Sequence, residues 1–244
     1  PATSALSATS GTFSTTLAST GNATVGGTLD VTGNVGLGGA STSSYLQGVV
    51  GGKTATIGDG SQVSSTLVLK DDDGVFDIAT TGGTLRIYDD NTERLRMDST
   101  GAVTMPSQPA FMARPTSQQS AIPVGGSETV VAFGTEVFDR GADFASNVFT
   151  APVEGLYNFQ VMLRLQDLDS ANSYYYMNIT TSNRNYQFIF DPDFGQDQIY
   201  WFVVGTALAD MDAGDTASIK IYQASGTQQT VINTLSHFSG YLVA

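Results

Sequence analysis

The run GLYNFQVML constrains this chain more than any other stretch, because Tyr157, Phe159, Val161 and Leu163 fall on every second position. In a strand, all four would lie on one face. Tyr200, Phe202 and Val204 alternate in the same way, as do Ile219 and Ile221, and more loosely Tyr174, Tyr176 and Ile179, then Phe238 and Leu242. No segment longer than about ten residues keeps a helical period. Short strands separated by turn signals point to an all-β chain built around an antiparallel sandwich. Pro152 and Gly155 occupy the turn between Phe149 and Tyr157, where a fixed and a permissive φ are both useful.

Composition divides the 244 residues into three parts. From Pro1 to Gly60 the only charged residues are Asp30, Lys53 and Asp59, among Gly, Ser, Thr and Ala. Ser61 to Met105 carries eight acids and four bases in short runs such as TLVLKD, TLRIYDD and RLRMDSTGAVTM, each closed by turn residues. Beyond Pro106 lie eleven of the thirteen Phe and the single Trp201, so a globular core belongs there. The expected organisation is a repetitive stalk over 1–60, a short-stranded connector over 61–108 and a head over 109–244. A net charge of -13 argues against nucleic acid or an anionic membrane surface as a direct partner. The absence of cysteine excludes disulfides, thiolate nucleophiles and Cys-based metal sites. No apolar run is long enough for a membrane helix, so no membrane insertion is expected. A start at Pro1 without a signal-peptide pattern reads as a processed or truncated piece.

In TGNATVGGTLDVTGNVGLGG, Thr20 to Gly39, apolar pairs recur every six residues: Ala23 and Val25, Leu29 and Val31, Val35 and Leu37. Each hexad gains only ~1.5 to 3 kcal/mol per buried apolar side chain, against roughly 6 to 12 kcal/mol of backbone entropy for ordering six residues. A lone chain loses that contest. Three copies wound about one axis would point every pair inward, with Gly where backbones crowd, so the period predicts a trimeric intertwined β-stalk. The composition also suits a flexible linker, against which the kept period of six is the argument.

The repeat, followed by GTLRIYDDNTERLRMDSTGAVTM, resembles the distal shafts of bacteriophage tail fibres. Further on, PAFMAR, FTAPVEGLYNF, Gly214-Asp215 before SIKIYQA, and FSGYLV near the C-terminus are together similar to the C1q-like domain, over about Pro109 to Ala244. The resemblance implies a ten-stranded jelly-roll sandwich of the kind shared with tumour necrosis factor, assembled as a compact trimer. A collagen stalk, usual before such a domain, is missing here; a β-stalk would take its place.

Signals for chemistry are weak. His237 is the only histidine, so a Ser-His-Asp triad would have to use it, and in SHFSG it reads as a structural residue at the head of the last strand. No enzyme activity is expected. Asp191, Asp193 and Asp197 in DPDFGQD, and Asp71 to Asp73 in KDDDG, offer oxygens to Ca²⁺, yet neither run completes an EF-hand loop. The alternative is solvated turn acids. For recognition, the densest stretch runs from Ser173 to Trp201. Its candidates are Tyr175, Tyr186 and Trp201 as ring faces for sugar CH groups, and Asn183, Arg184 and Asn185 as donors and acceptors, set against packing inside the domain or across a trimer.

These readings converge on a homotrimeric viral tail-fibre tip, extracellular on the virion, whose head binds a host surface glycan or protein. Other virion tail proteins would join through a region upstream of Pro1. The alternatives are a structural fibre or capsid decoration whose head registers the trimer, and a secreted cellular C1q-like adhesin or lectin.

Overall fold

The computed structural model describes residues 64–70, 73–120 and 122–244. The proposed stalk core (Ala23, Val25, Leu29, Val31, Val35 and Leu37) lies outside the described residues, as do Asp71 and Asp72.

Every described element is a strand. The first five are β1 (Ser64–Lys70), β2 (Val75–Thr81), β3 (Thr84–Asp89), β4 (Thr92–Met97) and β5 (Val103–Thr104). They form an antiparallel meander in chain order. Its tight turns are chemically specified. Gly82-Gly83 and Asp90-Asn91 are two-residue loops whose central residues all have positive φ, at 56°, 76°, 44° and 64°. That is the primed hairpin geometry that matches strand twist and favours Gly, Asn and Asp.

The remaining strands are β6 (Ala110–Arg114), β7 (Thr129–Val130), β8 (Thr135–Asp139), β9 (Phe144–Ala145), β10 (Val148–Thr150), β11 (Gly155–Leu168), β12 (Tyr175–Thr181), β13 (Asn185–Phe190), β14 (Gln198–Met211), β15 (Thr216–Gln223), β16 (Val231–Ile232) and β17 (His237–Leu242). They build two sheets, ordered β13-β12-β15-β10-β9 and β14-β11-β17-β6-β8, with β7 added on β15 and β16 on β11. Each main path has five strands, and non-consecutive neighbours such as β11 and β17 are joined by crossovers rather than hairpins.

The core lies between these two sheets. Tyr157, Phe159, Val161, Leu163 and Leu165 of β11 face Tyr175, Met177 and Ile179 of β12 and Ile219 and Ile221 of β15, all buried. Phe111 sits among rings, stacked on Phe144 at 4.8 Å and on Phe149 at 4.9 Å, with Phe238 edge-on at 5.0 Å. The motif FTAPVEGLYNF now has a physical account. Phe149, Tyr157 and Phe159 are core residues, and the Tyr157 hydroxyl donates to the Val153 carbonyl at 2.8 Å, pinning the turn from within. In FSGYLV, a Cβ on Gly240 would meet the Phe159 ring at 2.5 Å, so only glycine lets β17 pass that ring.

In two of the alternating runs the aromatic row faces outward. On β12 the inward residues are Tyr175, Met177 and Ile179, leaving Tyr174 and Tyr176 outward. On β14 the inward residues are Ala207, Ala209 and Met211, whereas Tyr200, Phe202 and Val204 face out. The period of two holds on β14 and for Tyr174 and Tyr176, whereas Ile179, grouped with them in sequence, belongs to the inward row. A period does not say which phase meets the core, and a one-residue shift reverses every side chain.

Candidate functional site

The six recognition candidates do not form one site. Tyr175 is a correction: its ring is wholly buried, and its hydroxyl is engaged with Thr230 Oγ1 at 2.7 Å and accepts the Asp169 N–H at 3.1 Å. Burial pushes its phenol pKa up. Asn183, Arg184 and Asn185 do share the β12–β13 turn and are exposed. There the Asn183 amide is committed, donating to the Asp210 carbonyl at 3.0 Å and to Asp215 Oδ2 at 2.8 Å. Tyr186 is half-buried against the core and reaches the Leu208 carbonyl at 3.4 Å. Trp201 belongs to the other end of β14: seven residues separate it from Leu208, roughly 23 Å of strand. It packs on Phe194 at 4.6 Å between ring centres and is 38% exposed.

The proposed metal ligands are likewise dispersed. Among the described residues, no group of three or more carboxylate or imidazole side chains is placed to hold an ion. Asp197 instead caps a neighbouring loop, accepting from Gln229 Nε2 at 2.8 Å and from the Ser170 N–H and hydroxyl at 2.9 and 2.8 Å. These donors, Gln229 foremost, hold its carboxyl below the usual carboxylate range. Asp191 and Asp193 are exposed and do not converge with it. Within one chain the trio does not come together as a ligand set, and Asp197 already serves protein donors.

The most distinctive surface is an alternating row whose facing the sequence left open. The outward row of β14 exposes Tyr200, Phe202, Val204 and Leu208, with Phe202 at 66% and Val204 at 59%. Opposite them on β11 stand Gln166, Arg164 and Met162, register partners of Tyr200, Phe202 and Val204. The Arg164 guanidinium lies 4.3 Å above the Tyr200 ring, a cation–π contact. Met162, Arg164, Tyr200, Trp201, Phe202 and Val204 line a shallow depression of 470 Å³. On the neighbouring strand, His237 pairs with Met162 and is half-buried; desolvation holds its imidazole below the ordinary pKa, which keeps it neutral. The same outward face continues through Tyr241 and Phe138, both exposed. The chemistry of this surface is apolar contact with a few polar groups, which suits another protein surface. QIYWFVVG carried a readable signal of it, since a strand that is apolar on both faces expects cover on both.

The C1q domain family model matches residues 110–243, more than half of the chain, and the protein belongs to that family. C1q domains are binding domains rather than enzymes. Among solved structures, the globular domain of zebrafish complement 1qA is 20% identical, with 56% of this chain and 98% of that one covered and a TM-score of 0.41. Murine APRIL at pH 8.0 is 12% identical, with 56% and 99% covered and a TM-score of 0.42. No curated protein matches the chain.

Proposed function

We propose that this chain is the distal part of a bacteriophage tail fibre, a homotrimer whose C1q head attaches the virion to a glycan or protein on the host surface. The observation that carries the trimer is the exposed row Tyr200, Phe202, Val204 and Leu208 on β14. A single head leaves this row in water, and each such side chain stabilises by about 1.5 to 3 kcal/mol when fully covered. Three heads related by a threefold axis cover it with one another, in keeping with the homotrimers that C1q-domain homologues form. The fibre role draws on the hexad repeat before the head. In this reading the protein is extracellular on the virion and joins other tail proteins through its N-terminal side. Three weak sites on one stem then bind by avidity.

Two measurements test this. Light scattering of the whole chain should give about three times its 25.6 kDa mass, falling to a single chain in Phe202→Asp/Val204→Asp. A wild-type monomer ends the trimer reading. The fluorescently labelled trimer should adhere to at least one strain in a panel of intact bacteria. Adherence to none moves the assignment to a structural fibre.

A further inference from the structure

The outward face of the sheet that does not contain β14 holds a second cluster, absent from the recognition set above. Tyr176 on β12 and Tyr222 on β15 are register partners and stack at 4.8 Å, with planes 17° apart. Tyr174 lies 6.4 Å from Tyr176 and 6.0 Å from Tyr222, completing a three-ring platform, and is 37% exposed. One register step along, Asn178 pairs with Lys220, and Lys220 with Val130 of β7. Glu128, just before β7, leans over this row: it accepts from the Asn178 amide and sits 3.6 Å from the Lys220 ammonium.

One group here is unfinished. Asn178 is only 1% exposed, and its Oδ1 is buried without a hydrogen-bond partner. An orphaned buried acceptor is costly, so its presence asks for a reason. Cross-strand tyrosine pairs by themselves need none, because ring stacking on a sheet is ordinary stabilisation.

We propose that Tyr174, Tyr176 and Tyr222, together with Glu128, Lys220 and Asn178, form a saccharide subsite that takes one pyranose unit. The chemistry is complementary point by point. A pyranose offers an apolar CH face to the tyrosine rings. Its hydroxyls are donors and acceptors at once, so they donate to the Glu128 carboxylate and accept from the Lys220 ammonium. Asn178, buried beneath this row, donates its amide to Glu128 and so fixes the carboxylate that the sugar meets. The subsite lies on the sheet opposite the β14 face, so an assembly that covers β14 leaves it open and repeats it three times. This inference rests on the receptor-binding reading and specifies its ligand as carbohydrate.

Saturation-transfer NMR on the full chain is the test, with methyl α-glucopyranoside, methyl α-galactopyranoside and N-acetylglucosamine as separate probes. Transfer to the ring CH protons of at least one probe is expected, reduced about fivefold or more in Tyr174→Ala and in Glu128→Gln. Both variants change partly exposed residues, and an unchanged melting temperature certifies their fold. No transfer to any probe, or equal transfer in both folded variants, overturns the subsite. Wild-type adherence to bacteria that persists in both variants also overturns it, while leaving the receptor reading in place. Sugar transfer lost in the variants, with adherence to no cell, does the reverse.

Discussion

The connector sheet and the head are both made of alternating strands, yet only the head closes a core. In the head, the inward rows of two sheets meet, and residues such as Phe111, Phe159 and Ile219 are at most 1% exposed. In the connector, pairing across β1 to β5 aligns Leu67, Leu69, Phe76, Ile78, Leu85, Met97 and Val103 on a single face. All seven are exposed, between 36% and 53%, and Ala79 is the one buried apolar side chain in these strands. The opposite face is polar: Glu93 bonds Arg96 at 2.9 Å and lies 3.5 Å from Arg86. Each sheet thus has an apolar side, and what separates them is a second layer. In the assembly proposed above, the connector's apolar side would face the same axis as β14.

The largest effect expected from breaking this contrast is in the head. Phe159→Ala should cost about 3 to 5 kcal/mol, because the aromatic core cannot collapse around the void, and urea unfolding followed by far-UV circular dichroism would show it. Next comes Phe76→Asp in the connector. If other copies cover that face, the assembly loses roughly 1.5 to 3 kcal/mol, seen as weaker trimerisation on dilution, while the head's own melting is unchanged. A loss within about 0.5 kcal/mol would instead mean that the face stays in water.

A smaller effect follows from His237. Burial lowers its folded pKa below that of the unfolded chain, so the unfolded state binds more protons between the two values. Its contribution is complete above about pH 6.5 and is lost as pH falls toward the folded pKa. Melting temperatures at about pH 7.5 and 5 should therefore converge in His237→Gln relative to the wild type. That window lies above the range where Asp98 and Asp197, whose pKas are depressed, begin to protonate. The smallest change is expected for Arg94→Ala. Its ion pair with Asp89, at 2.9 Å, joins two partly exposed groups, and such pairs contribute about 0 to 1 kcal/mol. A larger loss would show that this ion pair is shielded from water by another copy.

Much of the fold was legible in local chemistry. FTAPVEGLYNF and FSGYLV specify a turn, four core rings and a glycine; the turn is decided by residues close in sequence, whereas the glycine answers to a ring 81 residues away. The binding surfaces were much less legible. Tyr175 and Tyr176 are adjacent and identical, yet one is sealed in the core and the other stacks outside on Tyr222. No local property separates them. Which phase faces inward depends on the pairing of β12 with β15 and on the sheet lying across from it. The grouping of Asn178, Glu128 and Lys220 depends on contacts up to 92 residues apart in the chain, beyond the reach of spacing arguments.

By itself the amino-acid sequence determined the all-β class, the strand periods, the tight turns and membership in the C1q family, because each rests on residue type and short-range order. Only the tertiary structure decided which aromatic rows are core and which are surface. It also dispersed Asp191, Asp193 and Asp197 and left one apolar face bare on β14. The reason is that burial is a property of layers: a strand carries two faces, and only the packing of another sheet, or another chain, selects the one that leaves water.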